Sequence, residues 1–387
     1  MSEPPRRVHI VIDSLVTGGA ENLLAEQARG LLEAGAEVEV SPLQAGDGPA
    51  RAALEELGIA AEPIGTTGLL GRRDRDRVAA VLQASGPQLV HTHLGYADLL
   101  GGRAAARLGI PVVSTVHIAR WGPSRRDHIK EALMARQRRR NAVRVITVSE
   151  ALRRDYLARF SDRPERVVAA HNGLDLRLET DAGAALRRQL AIATDEVVVT
   201  MLSVLREGKG HREALAALAR LDADCPGVEL PRHRLLIAGD GPAGAAIAAA
   251  AEAQGDRVLL LGHRSDRGAV LAATDILLHP SHADALPSTV IEAMSAGLAI
   301  IASAVGGIPE LVGDDEAILT AAPPEPGEIA AALRALLGDR ARRRRLGVAA
   351  QARYRERFTT AAWTQRLLAI YAEALDQGPR REPRSSS

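Results

Sequence analysis

The sequence has 387 residues, of which 46% are hydrophobic and 25% charged, enough for two domains that each bury a core. The formal charge of +1, from 49 basic and 48 acidic residues, argues against a general nucleic-acid-binding protein. A single cysteine, Cys225, excludes an intrachain disulfide and a multi-cysteine metal site. No signal-peptide core follows the N-terminus, and no apolar run approaches the ~20 residues of a membrane-spanning helix. We therefore expect a cytoplasmic protein.

Short β-branched runs alternate with longer helical stretches rich in alanine and leucine, and the second half of the chain repeats the pattern of the first. This alternation predicts an α/β fold of two Rossmann-like domains, whose parallel sheets face each other across a cleft. The strands expected in the first half are Val8–Ile12, Glu37–Val40, Leu89–His91, Val112–Val116, Val145–Val148 and Val167–Ala170. Those expected in the second half are Val197–Leu202, Arg234–Ala238, Arg257–Leu261, Ile276–Leu278 and Ala299–Ile301.

A polar stretch from Asn172 to Ala182 predicts the linker and hinge between the two halves. We place the N-terminal domain at 1–174 and the C-terminal domain at 175–360. A helix at 361–377 is expected to pack back on the N-terminal domain, and the polar tail 378–387 is expected to be disordered.

The first glycine-rich turn contains Gly18 and Gly19, between the first strand and a helix expected from Asn22 to Ala34. Two glycines allow the backbone to approach a ligand closely and to aim N–H groups at it. The turn is not GxGxxG, and no acidic residue ends the second strand to bind a ribose, so a nicotinamide cofactor is not expected. Taken alone, a Gly-Gly turn is more often only a tight strand-to-helix connection.

Arg206 and Lys209 lie on the loop that follows the first strand of the second half. There they are suited to hold a diphosphate and to stabilise charge on a departing phosphate. The loop is not a GxxxxGK[ST] phosphate-binding loop. The alternative is two solvated basic side chains.

Three further turns follow strands of the second half, and they contain Gly239, Arg264 and Gly306-Gly307. The turns at Gly239 and Arg264 lie where a nucleoside would bind, and the glycine pair offers another close backbone approach. Each of them, taken singly, is adequately explained as an ordinary turn.

Two carboxylates, Asp284 and Glu292, stand eight residues apart around a Pro-Ser helix start. Pro287 and Ser288 are expected in the first helical turn, with Asp284 in the loop before it and Glu292 about one turn into the helix. The unpaired N–H groups of that turn and the positive end of the helix dipole favour a phosphate. A capped helix with two solvated acids explains the stretch equally well.

Taken in order, these pieces resemble the retaining glycosyltransferases of the two-domain GT-B fold, in the group marked by a Glu-x7-Glu motif (glycosyltransferase family 4, group 1 glycosyl transferases). The resemblance covers almost the whole chain. It is carried by the stretches Val8–Ser14 with Gly18–Glu21, Val90–His93, Ser114–His117, Ile146–Glu150, His171–Asp175, Ala238–Pro242, Glu292–Met294 and Gly306-Gly307. It implies transfer of a sugar from a UDP- or GDP-sugar to a glycan or lipid-linked acceptor, in polysaccharide or glycolipid biosynthesis. It implies no cofactor and no metal.

The resemblance also implies a role for each candidate residue. The catalytic group comprises His117, Arg206, Lys209 and Asp284. The donor-binding group comprises Gly18, Gly19, Gly239, Arg264, Leu286, Pro287, Ser288 and Glu292, with Glu292 on the donor ribose. Pro287 has no N–H to offer. His91 and His93 are interpreted as supporting or acceptor-side groups, because no further ligand accompanies them for a metal.

Two departures from the family pattern concern the proposed chemistry. Asp284 stands where the family usually has Glu, and Val204 stands where an arginine usually precedes the lysine by five residues. They keep open a noncatalytic nucleotide-sugar-binding protein. A sugar-nucleotide epimerase or a phosphorylase of similar fold is the other alternative. A glycosidase that uses the two acids is disfavoured by the tandem parallel sheets and the basic loop.

Eight basic residues lie in the acceptor-side segment 120–140, where Ile129, Leu133 and Met134 are their apolar neighbours. They are Arg120, Arg125, Arg126, Lys130, Arg136, Arg138, Arg139 and Arg140. Such a segment is suited to peripheral contact with the anionic inner face of a membrane. A solvated arginine-rich helix is the favoured alternative, because the apolar face is narrow.

Overall fold

The computed structural model describes residues 3–16, 18–68, 71–118, 124–223 and 230–380. Two compact units divide the chain. Unit 1 is Met1–Gly173 together with Thr360–Ser387, and unit 2 is Leu174–Thr359. Cys225, Arg120 and the tail residues 381–387 lie outside the described residues.

Unit 1 contains a six-stranded parallel sheet in the order β2-β1-β3-β4-β5-β6. Its strands are β1 Arg7–Ile12, β2 Glu37–Pro42, β3 Leu89–His93, β4 Val112–Val116, β5 Arg144–Thr147 and β6 Val167–Ala169. The connecting helices are α1 Gly19–Glu33, α2 Pro49–Glu56, α3 Arg72–Ser85, α4 Gly95–Arg107, α5 Arg125–Asn141 and α6 Glu150–Phe160. Every residue of β3 and β4 is buried, as expected of central strands with helices on both faces.

Unit 2 contains a second six-stranded parallel sheet, in the order β12-β11-β10-β7-β8-β9. Its strands are β7 Val197–Leu202, β8 His233–Ala238, β9 Val258–Gly262, β10 Ile276–His279, β11 Ala299–Ser303 and β12 Ala317–Thr320. The helices are α7 Thr180–Gln189, α8 His211–Ala223, α9 Gly244–Glu252, α10 Arg267–Ala272, α11 Ser288–Ser295, α12 Ile308–Leu311, α13 Pro326–Leu337 and α14 Arg340–Arg357. Aliphatic side chains of the central strands and of α8 and α13 form its largest buried cluster.

The last helix, α15 Thr360–Gln377, returns to unit 1. Its Tyr371 is fully buried, and the Tyr371 hydroxyl lies 2.6 Å from His91 Nδ1. Thr360 Oγ1 donates to Glu26 Oε2 on α1 at 2.9 Å. The helix therefore supplies part of the core and part of the buried polar network of unit 1.

All eleven strands expected from the sequence are present, with ends that differ by at most two residues. β12 was not predicted, because its four residues follow the acidic stretch Asp314–Glu316, which is typical of a loop. Two other expectations were wrong in detail. α1 begins at Gly19 and not at Asn22, since Glu21 favours the positive end of the helix dipole, and α7 begins at Thr180, inside the expected linker.

The two strand orders define where a ligand is expected in each unit. The order reverses between β1 and β3 in unit 1 and between β7 and β10 in unit 2. In open parallel sheets, ligands bind outside the carboxyl ends of the strands at such a reversal. We therefore expect the ligand-binding residues in the loops after β1, β3, β7 and β10. Among the described residues, no helix is long and apolar enough to cross a membrane.

Candidate active site

In unit 2, the loops after β7 and β10 bring Lys209 and Asp284 to His279, the last residue of β10. Lys209 Nζ lies 2.6 Å from Asp284 Oδ2, and His279 Nε2 lies 3.0 Å from the same oxygen. The Lys209 and Asp284 side chains are only 12% and 18% exposed. Lys209 and Asp284 thus form a charge pair at the reversal point of the unit 2 sheet, although 75 residues separate them in the chain.

Asp284 is ionised at neutral pH. Burial raises its pKa, but the hydrogen bond from His279 and the positive charge of Lys209 outweigh burial and hold the pKa well below its usual range. Both partners bind Oδ2, whereas Oδ1 contacts no hydrogen-bond donor among the described residues. Oδ1 is therefore free to accept a hydroxyl group.

The turn at Gly306 and Gly307 fixes the backbone of the Asp284 loop. Gly307 N–H donates to the Asp284 carbonyl oxygen at 3.3 Å. Gly306 has a φ of +52°, and a Cβ at this position would lie 1.7 Å from the same oxygen. Only glycine permits this approach, so Gly306 and Gly307 hold the backbone of Asp284 in place through its carbonyl oxygen.

The start of α11 leaves unpaired backbone donors beside this loop. Pro287 is the N-cap and Ser288 the first helical residue, so the prediction that Pro287 lies within the first turn is off by one position. The N–H groups of Ser288 and Thr289 have no backbone acceptor among the described residues. Leu286 is buried and anchors the turn. The arrangement suits an anionic group at the helix start.

Glu292 is buried in the second turn of α11 and pairs with Arg267, the first residue of α10. Arg267 Nε and Nη2 lie 3.0 and 2.5 Å from Glu292 Oε2, which leaves Oε1 without a donor among the described residues. Arg267 was not among the candidates from the sequence. Arg264, which was, is held by both oxygens of Asp266 and not by Glu292.

Gly239 lies in a tight, internally hydrogen-bonded turn, whereas Arg206 is exposed. The Gly239 N–H donates to the Gly262 carbonyl oxygen at 2.8 Å, so it is not available to a phosphate. With a φ of +148°, Gly239 also brings its backbone so close to Ser203 that a Cβ would lie 1.9 Å from the Ser203 carbonyl oxygen. The Arg206 side chain is exposed and forms no hydrogen bond or ion pair with the described residues. Lys209 is therefore the preorganised cation of the loop.

In unit 1, His117 lies just beyond the carboxyl end of β4 and contacts His93 at the end of β3. His93 Nδ1 is 2.9 Å from His117 Nε2, and the two rings stack with centroids 5.2 Å apart. Burial lowers the pKa of His117 to about 4, with the charge of Arg138 adding to the shift. His117 is thus neutral at physiological pH. Behind His93, His91 Nε2 is 2.7 Å from Thr115 Oγ1.

The loop after β1 places Asp13, Gly18 and Gly19 at the reversal point of unit 1. Gly18 is the N-cap of α1 and Gly19 its first residue, and no described atom lies within 4 Å of a Cβ built at Gly19. This open space suits the close approach of a ligand. Burial raises the pKa of Asp13 to about 7, although the Ala97 N–H, 2.7 Å from Asp13 Oδ1, favours the charged form. Asp13 was assigned no role from the sequence.

The basic segment differs from expectation at two positions on α5. Arg138 is buried and pairs with the buried Asp98, with Arg138 Nε 2.5 Å from Asp98 Oδ2. Met134 is buried as well. Arg138 was expected among solvated cations and Met134 on the apolar face, but helical periodicity turns both toward the core.

Two family models match the chain, one after the other. Residues 17–178 match Glycosyltransferase Family 4, and residues 184–353 match Glycosyl transferases group 1. A relative that is 30% identical supports the same assignment: over 292 residues the chain is similar to an MMP alpha-(1->4)-mannosyltransferase from Mycolicibacterium hassiacum. This similarity covers 70% of the chain and 67% of the relative. The chain belongs to glycosyltransferase family 4.

A second relative and a solved structure extend the likeness. A D-inositol 3-phosphate glycosyltransferase from Thermobispora bispora is 27% identical over 335 residues, which are 79% of this chain and 75% of that protein. The crystal structure of HepE from Anabaena in complex with UDP-glucose is 25% identical, with a TM-score of 0.79 over 96% of this chain and 99% of that one. The two six-stranded parallel sheets confirm the GT-B fold expected from the sequence.

His91 and His93 do not belong to a metal site that the described residues can form. No group of three or more His, Cys, Asp or Glu side chains in those parts of the chain is placed to hold a metal ion. His91 instead contacts Gln27, Thr115 and Tyr371 within unit 1. In this family member the two histidines are parts of a buried hydrogen-bond network.

Proposed function

We propose that this glycosyltransferase is a retaining enzyme that moves a sugar from a UDP-sugar, or a GDP-sugar, to a glycan or lipid-linked acceptor. The observation that carries the proposal is the Lys209–Asp284–His279 cluster at the reversal point of unit 2, beside the open N-terminus of α11. The UDP-glucose bound by HepE favours a uridine nucleotide as donor.

Donor binding is assigned to unit 2 groups that have unused hydrogen-bonding capacity. Glu292 Oε1 accepts a ribose hydroxyl while Arg267 holds Oε2. The N–H groups of Ser288 and Thr289 take diphosphate oxygens, aided by the helix dipole. Asp284 Oδ1 accepts a hydroxyl of the sugar.

Retention is proposed to arise by substitution on one face of the sugar. The bond between the anomeric carbon and the phosphate oxygen breaks through an oxocarbenium-like state, and the acceptor oxygen bonds to the same face. The departing phosphate takes the proton of the acceptor hydroxyl, so the products are the glycosylated acceptor and the nucleoside diphosphate. Lys209, with Arg206, stabilises the charge that develops on that phosphate. Asp284 is a poor nucleophile, because Lys209 and His279 already bind its Oδ2 and hold its pKa low.

A donor screen by mass spectrometry tests the proposal. UDP- and GDP-sugars are incubated with and without oligosaccharide or lipid-linked acceptors, and the anomeric configuration of any product is read by NMR. Acceptor-dependent release of nucleoside diphosphate with retained configuration is expected. An inverted product would refute the mechanism. Conversion of the donor to an epimer, a requirement for free phosphate, or binding without turnover would refute the function in favour of one of the alternatives.

The exposed face of α5 bears on whether the acceptor is held at a membrane. It carries Arg125, Arg126, Lys130 and Arg136, with only Ile129 and Leu133 as large exposed apolar side chains. Two apolar residues form a narrow stripe, which favours a solvated helix over a membrane-binding one. We therefore expect equal sedimentation with anionic and neutral vesicles. A clear preference for anionic vesicles would establish the peripheral contact instead.

A further inference from the structure

His93 occupies an unusual position for a buried polar side chain. It ends β3, is 2% exposed, and uses Nδ1 for its contact with His117. Its other ring nitrogen, Nε2, is buried and has no hydrogen-bond partner in the part of the chain that the structure describes. A buried N–H group without an acceptor costs free energy. The ring hydrogen of His93 is therefore expected on the nitrogen that has an acceptor.

His93 Nδ1 and His117 Nε2 form one hydrogen bond, so one of the two nitrogens carries the hydrogen and the other accepts it. Burial, with the neighbouring histidines adding, holds the pKa of His93 well below its usual range, so His93 is as neutral as His117. A neutral imidazole has one N–H and one bare nitrogen. If His93 carried its hydrogen on Nε2, that N–H would be buried with no acceptor. If the hydrogen is on Nδ1, it is donated to His117 Nε2, and only a lone pair is left unused. Orphaned buried N–H groups are the rarer of the two in proteins.

We infer that His93 is a positioning residue that fixes His117 in one tautomer, with the hydrogen on Nδ1. His117 Nε2 then accepts from His93 Nδ1 at 2.9 Å. His117 Nδ1 has no hydrogen-bond partner among the described residues, and the His117 side chain is partly exposed, so this N–H is available to a ligand. Resting on the proposed function, His117 acts as a hydrogen-bond donor to a substrate hydroxyl group and not as a base.

The ring of His93 is itself held from behind. His91 stacks on it with ring centroids 4.2 Å apart, and His91 is fixed by Thr115 and by Tyr371 of α15. Rotation of His93 would require the whole row to move. The preference for one tautomer is therefore built into the buried network of unit 1 and does not depend on a bound donor.

The tautomer is read directly by long-range ¹H–¹⁵N NMR spectra of the full-length protein labelled at histidine. The His117 signals are assigned by their loss in His117→Gln. A protonated Nδ1 and a bare Nε2 on His117 are the expected result. A protonated Nε2, or a charged ring at neutral pH, would overturn the inference. The spectrum is recorded without a donor, so a protein that transfers no sugar would refute the proposed function while leaving this reading intact.

Two variants connect the tautomer to turnover. His93→Phe keeps a ring but removes the donor, so kcat is expected to fall about 5- to 10-fold, the value of one neutral hydrogen bond, with little change in KM for the donor. His93→Asn places an amide N–H where Nδ1 lies and is expected to restore most of kcat and the wild-type His117 signals. Equal loss in both variants, with unchanged melting temperatures, would show that His93 serves packing alone.

Discussion

Lys209→Met removes the cation that is already held in place beside Asp284. Its ammonium group lies 2.6 Å from Asp284 Oδ2, and its side chain is 12% exposed, so solvent screens it little. Methionine keeps the length and the apolar stem of the side chain. The variant therefore isolates the charge from the packing.

The loss of turnover follows from where charge develops. If Lys209 stabilises the departing phosphate, its removal costs roughly 10²- to 10³-fold in kcat, the usual effect of deleting one preorganised donor at a developing anion. Arg206 is exposed and unpaired among the described residues, so it must lose more side-chain entropy to reach the phosphate and compensates only in part. KM for the donor is expected to rise less than kcat falls.

The same variant lowers stability, with a defined pH dependence. Asp284 keeps only the hydrogen bond from His279, and losing one charge-assisted partner costs about 1–3 kcal/mol. In the wild type the pKa of Asp284 lies below its ordinary value, so its ionisation adds stability above about pH 4, and this is lost as the pH falls through the folded pKa. Without Lys209 that pKa rises. The difference in free energy of unfolding between the two proteins is therefore constant near neutrality and shrinks as the pH falls through the raised folded pKa of Asp284 in the variant.

Steady-state kinetics and urea unfolding at pH 7 and in acid measure these effects. Arg212→Met is the matched control, since Arg212 is an exposed cation on the adjoining helix α8 and is expected to change neither quantity. Wild-type kcat in Lys209→Met would refute the role of the lysine. A stability difference that persists unchanged in acid would refute the account of the Asp284 pKa.

Three further changes test other parts of the structure. Glu292→Gln weakens the site proposed for the ribose, so KM for a UDP-sugar should rise about 10-fold or more while the preference over the 2′-deoxy donor falls; an unchanged preference would place the ribose elsewhere. Gly239→Ala should cost about 3 kcal/mol or more in urea unfolding, whereas Gly244→Ala, at a helix start with ordinary backbone angles, should cost little; equal losses would contradict the tight turn. Arg138→Met leaves the buried Asp98 without its cation and should cost about 3–5 kcal/mol, with Asp98→Asn restoring part of it in a double-mutant cycle; independent effects would show no coupling.

The architecture was predictable because strands of a buried parallel sheet are recognisable in the sequence as short, continuously apolar runs. Runs such as Val112–Val116 are apolar on both faces and short, and the alanine-rich stretches between them are too long for turns. The ends of elements were less predictable. Gly19 is a helix residue because the local dipole and the carboxylate of Glu21 outweigh the low helix propensity of glycine.

The site was predictable where one segment supplies it and unpredictable where two segments meet. The carboxylates on either side of the start of α11, Asp284 and Glu292, can be found from the sequence, since their spacing and the Pro-Ser start place them. The partner of Glu292 is Arg267, 25 residues earlier, and an arginine at a helix start gives no local sign of a buried contact. The His93–His117 contact has a usable signal: the register pairs His93 with Thr115 on β4, and His117 is the next residue on the same face.

The return of α15 to unit 1 determines the order in which the two units can be completed during synthesis. All of unit 2 is synthesised before Thr360, whereas unit 1 lacks Tyr371 until the last helix has emerged. Until then the buried His91 has no tyrosine beside it and part of the core of α1 is uncovered. Unit 1, which is synthesised first, is thus completed last. Unit 2 can form its own core while unit 1 still lacks its final helix.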